Sequence, residues 1–435
     1  MRRALFIIAV YALFFLSAVL PLQKAGAPKS SGVPLIVAPA PLNEVRALWV
    51  VRTALTSPES VTEMVRRAKE AGFTDLIVQV RGRGDAYYSS RWEPRAVALE
   101  AASKDFDPLA LTIQQAHAAN IKVHAWINTF VVADSRELPK AKDHVIWQHP
   151  EWLAVPKQIG LELYKGNPKA PNYFQRIVAL ARSSEELEGL YLSPAHPAVK
   201  EQIYGIWMDV LERYAVDGIH FDYIRYPNPQ FDYSRVSLER FRRELEKNLD
   251  SKERERLALI AEDDPLIYTS AYPDRYAQFQ RDQVTDVVER IYTGVKARKP
   301  NVIVSAAVWA NDGDAYNARF QDWKLWLRRG ILDVVCPMAY STNTEIFSRQ
   351  IENAVKSTST REGQQVWAGI GAWLQPVESS LAKVNAARRI GAQGFILFSY
   401  DSAVKISESN PQGDYLRRVR EALTEQAMPA KAGSR

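Results

Sequence analysis

The sequence predicts an α/β protein built as a closed (β/α)8 TIM barrel, with long insertions after the third and fourth barrel strands. Two observations lead there. Between Glu44 and about Gln426, short β-rich apolar runs alternate with amphipathic helical stretches, and the alternation repeats eight times. No glycine-rich phosphate turn opens the first helix. The stretch Arg81-Gly82-Arg83-Gly84-Asp85 lacks the third glycine of a dinucleotide fingerprint, so the competing open, doubly wound sheet is disfavoured.

Taken in order, the strand candidates are Val45 to Val51, Asp75 to Val80, Lys122 to Ile127, Gly218 to Asp222, Val302 to Val308, Leu332 to Cys336, Val366 to Gly371 and Gly394 to Phe398. Each is followed by a helix candidate. After Pro197, which suits a first helical turn, Val199, Ile203, Ile206, Trp207, Val210 and Tyr214 recur at helical spacing and form one apolar stripe. The connection from Thr129 to Ala195 is rich in proline and aromatic residues, and Ser234 to Asp264 is a charged helical excursion. Loops that follow barrel strands lie on the face that carries active sites, so both insertions are expected to wall a substrate.

Ahead of the barrel the chain reads as an export signal followed by a linker. Arg2 and Arg3 precede an apolar run from Ala4 to Leu20, and small residues follow at Ala25-Gly26-Ala27, which is the pattern of a leader over residues 1–27. An uncleaved anchor is the alternative, since the run is nearly long enough to span a bilayer. Residues 28–43 form a Pro/Ala-rich linker, 44–426 the barrel and 427–435 a flexible tail. The expected location is the periplasm or the medium, with a tether to the inner membrane if the leader stays. Cys336 is the only cysteine, which excludes a disulfide framework and a thiolate zinc site. The net charge is +6, and removal of Arg2, Arg3 and Lys24 with the leader leaves +3, too little to argue for nucleic acid. Eleven Trp, nineteen Tyr and fifteen Phe fit a polysaccharide partner better, because aromatic faces stack on sugar rings.

Strand alternation then sorts side chains into those facing the helices and those facing the barrel interior. In Gly218 to Asp222 it turns His220 and Asp222 inward, and in the third strand it turns His124, Trp126 and Asn128 inward. The same rule selects Gln79, Arg81, Ser305, Ala307 and Trp309, with Asn311, Tyr400 and Asp401 beyond strand ends. Buried carboxylates are expensive unless paired or functional, so Asp222, with Arg225 nearby, is the first catalytic candidate. Glycoside hydrolysis normally uses two carboxyl groups. Asp85, Asp312, Asp314 and Asp401 all follow strands, and nothing in the sequence chooses among them as the partner. Asp217 and Asp333 precede or open strands, where a turn or capping role fits better. Arg81, Tyr88, His124, Trp126, Asn128, His220, Arg225, Tyr226, Trp309, Asn311, Tyr340, Trp373 and Tyr400 are the expected substrate contacts. No cofactor or metal is expected. A metal-dependent amide or ester hydrolase with His124, His220 and Asp222 as ligands, and a silent glycan-binding barrel, are the competing readings.

Several stretches carry a family resemblance: Gln79 to Tyr88, His124-Ala125-Trp126-Ile127-Asn128, and Asp217-Gly218-Ile219-His220-Phe221-Asp222-Tyr223, supported by Tyr191-Leu192-Ser193-Pro194 and Phe398-Ser399-Tyr400. From about Glu44 to Asp401 the chain resembles the bacterial glycosyl hydrolase-like 10 family. The resemblance implies an exported barrel that cleaves peptidoglycan strands stripped of their peptides. The chain departs from that pattern at Asp222-Tyr223-Ile224-Arg225-Tyr226-Pro227, which stands where the family has paired acids.

Overall fold

The computed structural model describes residues 40–41, 43–358 and 363–425. The leader, most of the linker and the tail fall outside the described residues. No helix among the described residues is long and apolar enough to cross a membrane.

In chain order the strands are β1 (Val45–Val50), β2 (Asp75–Arg81), β3 (Lys122–Asn128), β4 (Val131–Ala133), β5 (Leu190–Tyr191), β6 (Gly218–Asp222), β7 (Ile303–Val308), β8 (Val334–Pro337), β9 (Gln365–Gly371) and β10 (Gly394–Phe398). All but β4 and β5 run parallel and close into an eight-stranded barrel. The short strands β4 and β5 belong to the first insertion, where they pair antiparallel with each other. Closure is made by β1 against β10, with Val45 opposite Gly394 and Trp49 opposite Phe398. The predicted barrel strands all occur, each end within two residues of its expected position.

Local chemistry explains why the helices start where they do. Ser57 caps Pro58–Glu70 by accepting from the Ser60 amide, and Asp107 caps Pro108–Ala118 by accepting from the Ala110 amide, each with proline in the first turn. Their apolar faces pack on the outward side chains of the strands, and Leu48, Leu76, Val123, Ile219 and Val304 are fully buried there. A second apolar group fills the barrel itself, with Trp49, Ile77, Trp126, Ala307, Cys336, Trp367 and Ile396. The interior is a packed core, as in other closed eight-stranded barrels. Tyr233, Leu238, Phe241, Leu257, Tyr276 and Phe279 form a third group under the second insertion. The predicted structural roles of two acids hold. Asp217 accepts from the Val123 amide and Asp333 from the Val304 amide, each tying neighbouring strands where they begin.

Candidate active site

The barrel interior is layered, and the layers decide which inward residues a substrate can meet. At the floor, His124 Nε2 lies 2.9 Å from Asp75 at the start of β2, and its ring meets Trp367 edge-on at 5.4 Å. A Cβ on Gly218 would collide with His124 Nδ1, so only glycine lets β6 pass this imidazole. His124 therefore faces inward as expected, but at the opposite end from the mouth, and it is not a substrate contact. In the middle layer His220 Nε2 accepts from the Trp49 indole N–H at 3.1 Å, and Nδ1 lies 2.8 Å from Ser305 Oγ. Burial, with His124 adding to it, pushes the His220 imidazole well below its ordinary pKa. A neutral ring with Nδ1 protonated satisfies both bonds. Both His220 nitrogens are thus occupied by protein, which leaves none for a metal. Among the described residues no group of three His, Cys, Asp or Glu side chains could hold one.

Asp222 ends β6 at the mouth. Its backbone carbonyl accepts from the Thr129 amide at 2.7 Å, and Asn128 is its register partner on β3. The next residue, Tyr223, has φ +48°, a conformation that costs a non-glycine residue energy and is held by its surroundings. That turn brings the Tyr223 amide to within 2.7 Å of Asp222 Oδ1. Burial raises the Asp222 carboxyl to about 6, against the opposing pull of Arg225 and the Tyr223 amide, and Glu188 pushes it in the same direction as burial.

Arg225 is fully buried, with Nη1 3.5 Å from Asp222 Oδ1 and Nη2 3.3 Å from Glu188 Oε1. Its guanidinium lies 4.2 Å from the centroid of the Tyr223 ring and 5.6 Å from that of Trp309, and Arg319 lies over Trp309 at 4.5 Å. On the other side of the mouth, Tyr340 meets Trp373 edge-on at 4.9 Å and Phe398 at 5.6 Å, and Trp49 at 6.3 Å. Burial raises the Tyr340 phenol well above its ordinary value, and the Asp222 charge adds to it. Trp126 donates its indole N–H to Asn128 Oδ1 at 2.8 Å, and Asn128 donates to the Gly82 carbonyl at 3.0 Å. Asp222, Arg225, Asn128, Trp309, Tyr340 and Trp373 are thus at or just past strand ends as expected, whereas Trp126 lies one inward position below Asn128, in the barrel core.

Other expected residues are elsewhere or differently employed. Arg81 makes a buried two-point ion pair with Glu93 at 2.7 Å and donates to the carbonyls of Asn128 and Thr129, so it ties β2 to β3. Tyr88 packs edge-on against Tyr214 in the outer core at 5.9 Å. Tyr226 is buried against Phe320, and burial, with Asp232 just before the second insertion adding to it, pushes its phenol well above the ordinary value. Burial pushes the Tyr400 phenol up to about 12, with Arg67 and Glu63 of the outer helix Pro58–Glu70 acting on it in opposite directions. Asn311 is exposed and caps Asp312–Ala318 through the Asp314 amide. Past a strand's end alternation no longer fixes direction, which is why Tyr88, Tyr226, Tyr400 and Asn311 miss the mouth or serve another purpose, while Arg81 ends β2 beyond a register shift against β3.

Three of the four candidate partners for Asp222 are engaged elsewhere, and the fourth is exposed. Asp85 accepts from the Arg83 amide at 2.8 Å, Asp312 pairs with Lys324, and Asp314 is exposed in the helix that follows β7. Asp401 accepts from the Val51 amide at 3.3 Å and the Thr53 hydroxyl at 2.5 Å, fastening β10 to the end of β1. The acid that the structure does bring to Asp222 is Glu188, which the sequence does not single out. Its one signal is the Glu188-Gly189 pair just before Tyr191-Leu192-Ser193-Pro194.

The glycosyl hydrolase-like 10 family model matches residues 44–384, from β1 into the helix before β10. The chain belongs to this family. Relatives of this glycosyl hydrolase-like 10 member include glycosyl hydrolase YngK of Bacillus subtilis, 22% identical over 333 residues, a match covering 68% of this chain and 54% of YngK. The chain thus spans about half the length of that relative. Glycosyl hydrolase DigH of Escherichia coli is 21% identical over 357 residues, covering 74% of this chain and 68% of DigH. Among solved structures, the glycoside hydrolase domain of PgaB from Bordetella bronchiseptica superposes with a TM-score of 0.56 at 16% identity, covering 87% of this chain and 99% of that one. The catalytic domain of a Paenibacillus polymyxa β-amylase gives 0.56 at 14% identity, covering 90% and 100%. The fold is therefore one that glycoside hydrolases use.

Proposed function

We propose that this protein hydrolyses glycosidic bonds of a polysaccharide at the barrel mouth, with Asp222 as the group that protonates the departing oxygen. The observation that carries the reading is the Asp222 carboxyl itself, buried at a strand end and raised to about 6. A general acid must hold its proton near working pH and release it to the leaving group, and a carboxyl at its ordinary value is ionised too early. The aromatic side of the mouth, Tyr340, Trp373 and Phe398, offers apolar ring faces for a sugar beside that proton. Family membership and the folds it shares support the same chemistry.

Peptidoglycan glycan strands without their peptides are the proposed substrate, on the strength of the family resemblance. Export supports that choice: the basic start, apolar run and small residues of 1–27 would deliver the barrel to the periplasm or medium, or tether it to the inner membrane if uncleaved. Incubating the purified protein with denuded strands, with and without chelator, and weighing the products tests the reading. A ladder of shortened sugar chains in both samples supports it. Affinity without turnover would instead support a silent glycan-binding barrel, and loss of products with chelator a metal-dependent hydrolase.

A further inference from the structure

We propose that Glu188 is the second carboxylate of the reaction, acting as the base that takes a proton from the attacking water; this rests on the glycosidase reading above. The geometry comes from the first insertion. Glu188 lies just before β5, and it is buried at the mouth, far along the chain from the strand ends that the sequence points to. Three contacts fix it there. Tyr191 donates its hydroxyl to Glu188 Oε2 at 2.6 Å, Arg225 reaches Oε1, and Arg83 donates to the Glu188 backbone carbonyl at 2.5 Å. Gly189 has φ +153°, and a Cβ there would collide with the Ala133 carbonyl oxygen and with Arg83 Nη1. Only glycine lets the backbone approach β4 closely enough to hold the preceding carboxylate in place.

One guanidinium joins the two acids, since Arg225 reaches Asp222 through Nη1 and Glu188 through Nη2. Of these three buried groups, two can be negative and one is positive, so the set is neutral when a single proton is present. That is the state a hydrolytic pair needs: one acid protonated, the other ionised. Glu188 Oε2 accepts from Tyr191 and Oε1 faces Arg225, and a carboxylate with about four acceptor sites has room for a water as well. Taking a proton from water uses an open acceptor site on Glu188 while Tyr191 and Arg225 stay in place. The reaction then balances. The carboxyl of Asp222 gives its proton to the glycosidic oxygen as the carbon–oxygen bond breaks and its electron pair goes to that oxygen. Water forms the new bond to the anomeric carbon while Glu188 takes its proton. The products are a reducing end and an alcohol, with Asp222 ionised and Glu188 protonated; proton exchange with solvent restores the start.

The test uses the full chain on denuded glycan strands, comparing wild type, Glu188→Gln and Glu188→Ala, with thermal unfolding to confirm folding. We expect kcat to fall on the order of 1000-fold in Glu188→Gln, with KM within about threefold, as for loss of a positioned base. Azide, which needs no base, should restore turnover in Glu188→Ala and yield a glycosyl azide detectable by mass. A folded Glu188→Gln variant keeping more than about a tenth of wild-type kcat overturns the proposal, because removing a general base costs at least about 100-fold. So does a folded, inactive Glu188→Ala that yields no azide adduct, since that marks a residue holding Arg225 and nothing more. Retention of anomeric configuration in wild-type products would also overturn the role of base. If wild type itself binds strands without cutting them, the glycosidase reading fails first, and the variants are not what sinks it.

Discussion

Replacing Asp222 by Asn separates stability from chemistry and gives each a sign. The folded protein holds the Asp222 proton to about pH 6, against an ordinary value of 3.8. About two units at about 1.4 kcal/mol each make about 3 kcal/mol of linkage. The pKa is raised in the folded state, so this stabilisation is fully present below 3.8 and is lost as pH rises through 6. At pH 8 the ionised, buried carboxylate gives no such benefit, whereas at pH 4.5 about 2 kcal/mol of it is present. The carboxamide of the variant would be neutral throughout, and Arg225 keeps Glu188 as a partner. The stability difference between Asp222→Asn and wild type should therefore move by about 2 kcal/mol in favour of the variant between pH 4.5 and pH 8. Urea titrations of both proteins at the two pH values measure it. Turnover on glycan strands should fall on the order of 1000-fold at pH 4.5, as for a lost general acid, and by far less at pH 8, where the wild-type carboxyl is already ionised. A difference that is flat with pH, or that moves against the variant as pH rises, would refute the assignment of a raised pKa to this carboxyl.

Other outcomes follow from the same geometry. Glu93→Gln leaves Arg81 charged and buried without its ion pair, so it should lower unfolding free energy by about 3–5 kcal/mol in denaturant titrations. Trp373→Ala removes one ring from the aromatic side of the mouth; KM should rise up to about tenfold with kcat changed far less, as steady-state kinetics would record. Chelator should leave turnover unchanged, because the His220 nitrogens are engaged by Trp49 and Ser305 and His124 lies at the floor beside Asp75. Activity assays before and after dialysis against chelator check this.

What is legible in the sequence follows from what each signal encodes. Apolar period and β-branched runs locate the eight barrel strands, with Gly218–Asp222 and Gly394–Phe398 matching to the residue. Alternation correctly turns His124, His220 and Asp222 inward, but it gives a face and not a height. His124 lies at the floor because the register of β3 against β6 sets it opposite Gly218, the first residue of that strand. Arg81 reads as a substrate contact in sequence because Glu93, its partner, lies in a loop without periodicity. The strands β4 and β5 escape notice for the same reason, being only three and two residues long in a proline-rich insertion. With them goes Glu188, whose place depends on pairing between distant segments that no local pattern records.

The proposed chemistry requires Asp222 to deliver a proton, and the pH dependence of kcat/KM for wild-type protein on denuded glycan strands reads that step directly. Activity should decline above about pH 6, with the alkaline limb following the raised carboxyl. A profile that stays level or climbs from about pH 5 to about pH 8 would contradict it.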